Sequence, residues 1–238
     1  MWPLVDKTKA MFLDILFPPA CLACEKILNP GEKTAYLCAA CWDRIPIYTA
    51  FTCPFCGARL AENKKTCHRN TSYRLAAATD YGNEIVKQLV WRLKYDRRTT
   101  AAEPLAKILL AHLATLTLNL ADYAIIPMPL HPRRERERGF NQSALIGKKI
   151  ADALNLPLFD NLLLRTRPTP PQAEAKSKEM RRVNVAGAFR VALPESLKDQ
   201  NLILLDDVFT TGATINEAVA ELRHAGARRV LALVIARA

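Results

Sequence analysis

No apolar run in this sequence is long enough to cross a bilayer, which takes about 20 consecutive apolar residues. Near the N-terminus the only apolar stretch, Met11-Phe12-Leu13-Asp14-Ile15-Leu16-Phe17, is short and carries an acid. It predicts neither a signal peptide nor a membrane span, but a small amphipathic helix packed on the domain that follows. Acidic residues are also scarce: 23 Asp and Glu stand against 34 Lys and Arg, a formal net charge of +11. That imbalance favours polyanions or phosphorylated ligands without choosing between them. With no export signal, the seven cysteines do not read as a disulfide framework. They predict thiols that hold metal, in a cytoplasmic protein.

An eighth cysteine is missing as well. Cys21-Leu22-Ala23-Cys24 and Cys38-Ala39-Ala40-Cys41 form two C-x-x-C knuckles separated by thirteen residues, a spacing that suits one tetrahedral zinc with four thiolates, closed and therefore structural. Gly31, within Asn29-Pro30-Gly31-Glu32, supplies the turn between them. A third knuckle, Cys53-Pro54-Phe55-Cys56-Gly57, is followed after ten residues by Cys67, but the expected fourth ligand position holds Asn70. His68 offers an imidazole instead, in a strained place next to Cys67. Alternatively Cys53 and Cys56 share the single zinc with one of the earlier pairs; spacing does not decide.

From Ser72 onward the cysteines stop and an α/β pattern begins, dividing residues 1–70 from 71–238. The second part is organised around Leu202-Ile203-Leu204-Leu205-Asp206-Asp207-Val208-Phe209-Thr210-Thr211-Gly212-Ala213-Thr214. An unbroken apolar run of this kind fits a strand buried on both faces of a parallel sheet. Thr214-Ile215-Asn216-Glu217 has the spacing of a capping box, and Ile215, Ala218, Val219 and Leu222 then recur on one helical face. Gly226 stands where a helix C-terminus wants positive φ, and Val230 to Ile235 reads as the next strand. In such a unit a loop meets a helix N-terminus, whose unpaired N–H groups favour an anion. Gly212 lets backbone approach it, and Thr210, Thr211 and Thr214 add hydroxyl donors. Asp206 and Asp207 suit sugar hydroxyls or a metal held through water. Phosphate, diol and metal together describe a ribose 5-phosphate.

The stretch from Leu204 to Thr214 resembles the signature of type I phosphoribosyltransferases, which bind 5-phosphoribosyl-1-pyrophosphate (PRPP). The resemblance implies that the acidic pair holds the ribose hydroxyls and that Thr210, Thr211, Gly212, Ala213 and Thr214 hold the 5-phosphate.

Between the ribbon and this motif, Leu75 to Tyr81 reads as a strand, and Gly82 and Asn83 lead into a helix bearing Ile85, Val86, Leu89, Val90 and Leu93, ended by Lys94 and Tyr95. A second helix opens at Pro104; its His112, on an apolar face, reads as a packed histidine. Tyr123 to Ile126 is a short buried strand running into the stiff turn Pro127-Met128-Pro129-Leu130. The run His131 to Ser143 reads as a charged loop with four arginines, which suits a pyrophosphate. Residues 144 to 155 form a helix and 162 to 165 a strand, and Thr166 to Lys178 reads as a mobile loop near the site. Phosphoribosyltransferases close such a loop over the reacting centre; 133–143 and 166–178 are both candidates.

A narrower resemblance lies in Arg138-Gly139-Phe140-Asn141-Gln142-Ser143, Pro127-Met128-Pro129, Thr169-Pro170-Pro171-Gln172, Arg181 to Phe189, and the lead-in Leu16 to Cys21. These look like the ComF family of competence-associated proteins. That implies an α/β fold, a type I phosphoribosyltransferase-like parallel sheet flanked by helices, with a small N-terminal zinc ribbon domain. It also implies a role in handling incoming single-stranded DNA, with DNA-uptake proteins as partners. The site expected is Asp206 and Asp207 for ribose and Mg²⁺, Thr210 to Thr214 for the 5-phosphate, and Arg133, Arg134 and the backbone of Pro127 and Met128 for pyrophosphate, with Lys94 a further candidate. Cys21, Cys24, Cys38, Cys41, Cys53, Cys56 and Cys67 are the zinc thiols. Two functions follow: a module that binds PRPP and single-stranded DNA, or an active phosphoribosyltransferase. For the first, Phe51, Phe55 and Tyr73 are candidates for stacking on bases, although packing within the ribbon is the expectation for at least two of them. For the second, nothing here names an acceptor, because residues 1 to 70 stand where enzymes of this fold carry the hood that reads a base.

Overall fold

The computed structural model describes residues 18–61, 67–68, 71–168 and 185–238. The helix expected at 11–17, Asn70, residues 169–178 of the loop expected at 166–178, and residues 181–184 of the family resemblance lie outside the described residues. A short α1 (Ala39–Trp42) belongs to the cysteine-rich part. The rest runs β1 (Arg74–Asp80), α2 (Glu84–Lys94), α3 (Ala102–Thr115), β2 (Tyr123–Pro127), α4 (Pro132–Arg138), α5 (Gln142–Leu154), β3 (Leu163–Arg165), β4 (Phe189–Val191), β5 (Asn201–Phe209), α6 (Ala213–His224) and β6 (Arg229–Arg237).

The main sheet is parallel, in the order β1-β6-β5-β2, with Ile203 beside both Ile125 and Leu231. Alternate residues of β5 serve opposite faces, as the period of two requires. Ile203 and Leu205 pack with Ile125, Leu233 and the apolar stripes of α2, α3 and α5. Leu202 and Leu204 pack with Ile126, Val234 and the Ile215, Ala218, Val219 and Leu222 stripe of α6. Burying one such leucine contributes about 1.5–3 kcal/mol, so the central strand is where the fold is most strongly held.

The cysteine-rich part shares the first of these cores through Leu22, Leu37, Ile45 and Phe51. Its trailing segment also runs along β1: the Tyr48 and Thr52 N–H groups donate to the Ala78 and Leu75 carbonyls at 2.8 and 3.0 Å. That covers an edge strand that would otherwise offer unpaired backbone.

Three expectations are corrected. The central strand does not end at the aspartates: its pairing with β6 continues to Phe209 opposite Arg237, so Asp206 and Asp207 point to opposite sides of the sheet's last turn. The charged run after His131 is a helix rather than a loop. Pro132 sits in its first turn, the His131 Nδ1 accepts from the Arg133 N–H at 3.3 Å, and Gly139 closes it at φ 89°. The capping box is not used, because α6 starts two residues earlier, at Ala213, with Gly212 rather than Thr214 as its N-cap; the Glu217 carboxylate accepts instead from the Gly187 N–H at 2.6 Å. The packing expected of at least two of the three aromatics is found: Phe51 and Tyr73 are core residues, only 3% and 6% exposed, and Phe55 is on the surface. One small element had no counterpart in the sequence reading, the antiparallel pairing of β3 with β4.

Candidate functional site

A cleft of about 330 Å³ opens at the carboxyl ends of β5 and β2, where a parallel sheet places its ligands. Asn141 sets one wall. Its side-chain oxygen caps α5 by accepting from the Ser143 and Ala144 N–H groups at 3.0 and 3.4 Å, and its Nδ2 donates to the Met128 carbonyl at 3.1 Å. This fixes the start of α5 against the end of β2 and brings Gln142 inward. Gln142 Nε2 donates to Asp207 Oδ2 at 3.1 Å, and Arg138 in turn donates to Gln142 Oε1. From α2, Lys94 Nζ reaches the same Asp207 oxygen at 2.7 Å. Asp207 is thus buried, 7% exposed, and held by a cation and an amide.

Asp206 faces the other way, where Arg165 of β3 and Arg134 of α4 also line the cleft. Burial, reinforced by the Asp207 carboxylate next to it, pushes the Asp206 carboxyl up to about 7, against the opposing pull of the Asp207 N–H, Lys94 and Arg165. Lys94 is held above its ordinary value: burial works against its charge, and the Asp207 carboxylate more than offsets that. Two adjacent carboxyls, one paired with a lysine and the other buried so that its charge is disfavoured, form a site that gains from an added cation.

The loop after β5 closes the cleft floor. Thr210, Gly212 and Thr214 line it, while Thr211 turns inward, its Oγ1 accepting from the Ala213 N–H at 3.4 Å. Gly212 has φ 76°, and a Cβ there would lie 2.6 Å from Phe209 Cζ. Only glycine lets the loop lie on that ring. The N-terminus of α6 therefore meets the cleft with its backbone donors, an anion site by construction. Met128, Pro129 and Leu130 form the opposite lip.

The cysteines fall into two separate groups. The ligand atoms of Cys21, Cys24, Cys38 and Cys41 lie within 4.8 Å of one another, and so do those of Cys53, Cys56, Cys67 and His68. The Cys24–Cys38 and Cys56–Cys67 sulfurs are 3.6 and 3.3 Å apart, and His68 Nδ1 lies 3.2 and 3.3 Å from the Cys53 and Cys67 sulfurs. A tetrahedron with zinc–sulfur bonds of about 2.3 Å needs spacings of this size, so both donor sets fit zinc, S₄ in the first and S₃N in the second. The question that spacing left open is resolved: no pair is shared, and His68 fills the place expected of residue 70.

A family model described as a double zinc ribbon domain matches residues 12–70, and one described as a phosphoribosyl transferase domain matches residues 141–238. A DNA utilization protein YhgH of Escherichia coli O157:H7 is 32% identical over 222 residues, covering 90% of this chain and 94% of its own. Competence protein F of Haemophilus influenzae is 28% identical over 92% of this chain and 96% of its own. Competence protein ComFC of Bacillus subtilis is 28% identical over 84% of this chain and 82% of its own. The chain belongs to the ComF family.

Within this ComF-type cleft the expected residues are gathered unevenly. Asp206, Asp207, Thr210, Gly212, Thr214, Met128 and Arg134 line it. Pro127 ends β2 beside Leu205, and Ala213 begins α6. Arg133 is not brought in: its side chain is 76% exposed and pairs with Glu137 at 2.9 Å along the outer face of α4. Sequence reasoning counted Arg138 only as one of four arginines suited to a pyrophosphate and named Gln142 only as part of a resemblance, and it missed Arg165, Tyr81 and Tyr95. For Arg138 a signal was present, since it is one helical turn from Arg134. For Arg165 there was none, because its position follows from the unforeseen β3–β4 pairing. No helix among the described residues is long and apolar enough to cross a membrane.

Proposed function

We propose that this chain binds PRPP with Mg²⁺ in the cleft and handles single-stranded DNA during its uptake or utilisation, in the cytoplasm and with DNA-uptake proteins as partners. The names of its relatives, DNA utilization protein and competence protein, support the second half. The observation that carries the first half is the pairing of an anion-binding helix start at Gly212 with an acidic pair under cations from three other elements, Lys94, Arg138 and Arg165. In this reading residues 1–70 are the ribbon domain and 71–238 the binding domain. Asp206 and Asp207 accept the ribose hydroxyls, and the backbone and hydroxyls of Thr210 to Thr214 hold the 5-phosphate. Lys94, Arg134 and Arg138 face the pyrophosphate. Mg²⁺, when bound, would balance the charge of the pyrophosphate beside the carboxylates. Calorimetric titration of Mg²⁺ and PRPP into the zinc-loaded chain and into an Asp206→Asn, Asp207→Asn variant tests this. Binding that the variant loses supports it, and absence of binding to the folded wild type rejects it.

The second reading, turnover, is favoured by one feature. The cations stand where pyrophosphate would leave, and Tyr81 and Tyr95 offer rings at the same cleft for an acceptor. The C1–O bond to pyrophosphate would break with both electrons leaving on oxygen, and an acceptor nucleophile would bond to C1. Release of pyrophosphate from labelled PRPP across a panel of nucleobases, amines and nucleic acids would support it. No release above the rate in buffer would leave the chain a binding protein.

A further inference from the structure

A second cavity opens at the other end of the sheet. It lies at the amino ends of β1, β2 and β6, against Arg74, Tyr123 and Arg229, with a volume of about 560 Å³. Arg74, Arg223, Arg228 and Arg229 line it, and none of its lining residues is acidic. None of these four arginines pairs with a carboxylate among the described residues. Arg223 donates to the Ala227 and Arg228 carbonyls, and Arg228 and Arg229 are exposed at the rim.

Arg74 sets this cavity apart from an ordinary basic surface. Its guanidinium carbon lies 3.5 Å from the centre of the Phe51 ring, and its Nε is buried with no hydrogen-bond partner. In the front cleft the buried cation Lys94 has Asp207; here the half-buried cation has the Phe51 ring and the neighbouring Tyr123, and no carboxylate among the described residues. A cation drawn out of water without a counter-ion is unfavourable, and a bound anion would offset that. Thr71 and Ser72 add hydroxyls to the lining, and the Thr71 hydroxyl donates to the His68 carbonyl at 3.5 Å, so the rim continues to the second zinc ribbon.

We infer that this rear cavity holds phosphate groups of a single DNA strand, at a site separate from the ribose phosphate cleft. The inference rests on the nucleic-acid half of the proposed function and gives it a location. A strand suits the site better than a lone anion. Exposed arginines hold a single phosphate weakly because solvent screens them, whereas a chain engages several together and the release of its counterions adds. Tyr123, at the head of β2, supplies a ring on which a base can stack.

The test titrates a labelled oligothymidylate into the zinc-loaded full chain over a range of salt, for the wild type, Arg228→Ala with Arg229→Ala, and Arg134→Ala with Arg138→Ala. Magnesium–PRPP binding and thermal unfolding are measured on the same samples. Losing two phosphate contacts at a salt slope of about 0.7 each should lower the slope by about 1.4 and weaken binding about 25-fold at 0.1 M salt. PRPP affinity and melting temperature should stay unchanged, and Arg228→Lys with Arg229→Lys should keep most of the binding. If oligothymidylate binding is lost on the cleft variant and kept on the rear variant, the strand lies in the cleft; the DNA reading stands and this inference is overturned. If the rear variant loses tripolyphosphate but not oligothymidylate, the cavity takes a small polyphosphate and the inference is again overturned. If the wild type binds no oligothymidylate at low salt, both readings fall.

Discussion

Two neighbouring aspartates are expected to answer the same mutation in opposite ways. Asp206 keeps its proton to about 7 in the folded chain, against an ordinary 3.8, because burial and the Asp207 carboxylate disfavour its charge. Between those values the folded chain binds a proton that the unfolded chain has released. The resulting stabilisation is fully present below pH 3.8 and is lost as pH rises through 7. A shift of roughly three units corresponds to about 4 kcal/mol as an upper bound, and water entering an open cleft brings the effect nearer 2 kcal/mol. Asp206→Asn removes that penalty, so the variant should be more stable than wild type at pH 8 by about 2 kcal/mol, or about 4–8 °C in melting temperature. The gain should shrink at pH 5, where the wild type is already protonated there. Asp207→Asn should do the reverse. It leaves Lys94, now 2.7 Å from a carboxylate and 21% exposed, without its counter-ion, at a cost of about 1–3 kcal/mol after discounting for partial exposure. Urea midpoints of the zinc-loaded variants at pH 5 and pH 8 decide the matter. Equal destabilisation by both substitutions, or an Asp206→Asn gain that does not change with pH, would refute the reasoning.

Three further outcomes are expected. Gly212→Ala forces a side chain into φ 76° and to 2.6 Å from Phe209, so it should cost at least about 1–2 kcal/mol in urea unfolding and weaken magnesium–PRPP binding in calorimetry. Elemental analysis should find two zinc ions per chain, and His68→Ala should lower that toward one while the Cys21, Cys24, Cys38 and Cys41 set keeps its metal. His112 is buried, which holds it below its ordinary 6.5 despite its bond to the Tyr48 carbonyl. The folded chain refuses a proton that the unfolded chain takes, so stability present above pH 6.5 is lost as pH falls below it. His112→Gln should flatten the slope of stability between pH 7 and pH 5, by up to about 1.4 kcal/mol per unit; an unchanged slope would show that His112 does not set it.

The parts of the site legible in the sequence were those set by local chain order. The strand, glycine loop and helix of 202 to 224 could be read because an apolar run, a glycine and a helical stripe are adjacent in sequence and remain so in the fold. Arg133 is expected in the site and Arg138 only as one of four arginines, because a loop reading of 131–143 gives no reason to choose among them; the segment is a helix over Pro132–Arg138. In a helix only one face can turn inward, and the Arg133–Glu137 pair marks the other. His68 could be proposed but not chosen, since ligand identity depends on how the chain closes around the sulfurs rather than on spacing alone. Arg165 and the Lys94–Asp207 pair were beyond reach or only faintly visible, because each joins elements far apart in the chain. The exposed aromatics show the same limit. Phe51 and Tyr73 look like Phe55 in sequence, yet Tyr73 donates to Asn216 Oδ1 at 2.7 Å inside the core, and the exposed pair is Trp91 and Tyr95.

The ribbon is not an independent appendage, and one guanidinium shows why. Arg237, at the end of β6, donates from Nη1 to the Cys53 carbonyl at 2.9 Å and lies 5.6 Å from the centre of the Phe209 ring. A Cβ at Gly57 would come within 2.6 Å of that guanidinium, as a Cβ at Gly212 would of the Phe209 ring. Two glycines with positive φ therefore hold close contacts at the two ends of one short chain of groups: the knuckle turn, Arg237, Phe209 and the loop at the start of α6. Interiors packed this closely pass a displacement on rather than absorb it. The Cys53–Gly57 turn is thus in direct contact with Arg237, and Arg237 lies against the Phe209 ring beneath the loop at the start of α6. Among the described residues the second ribbon contributes none to the cleft lining, and its contact with the cleft floor runs through Arg237 and Phe209.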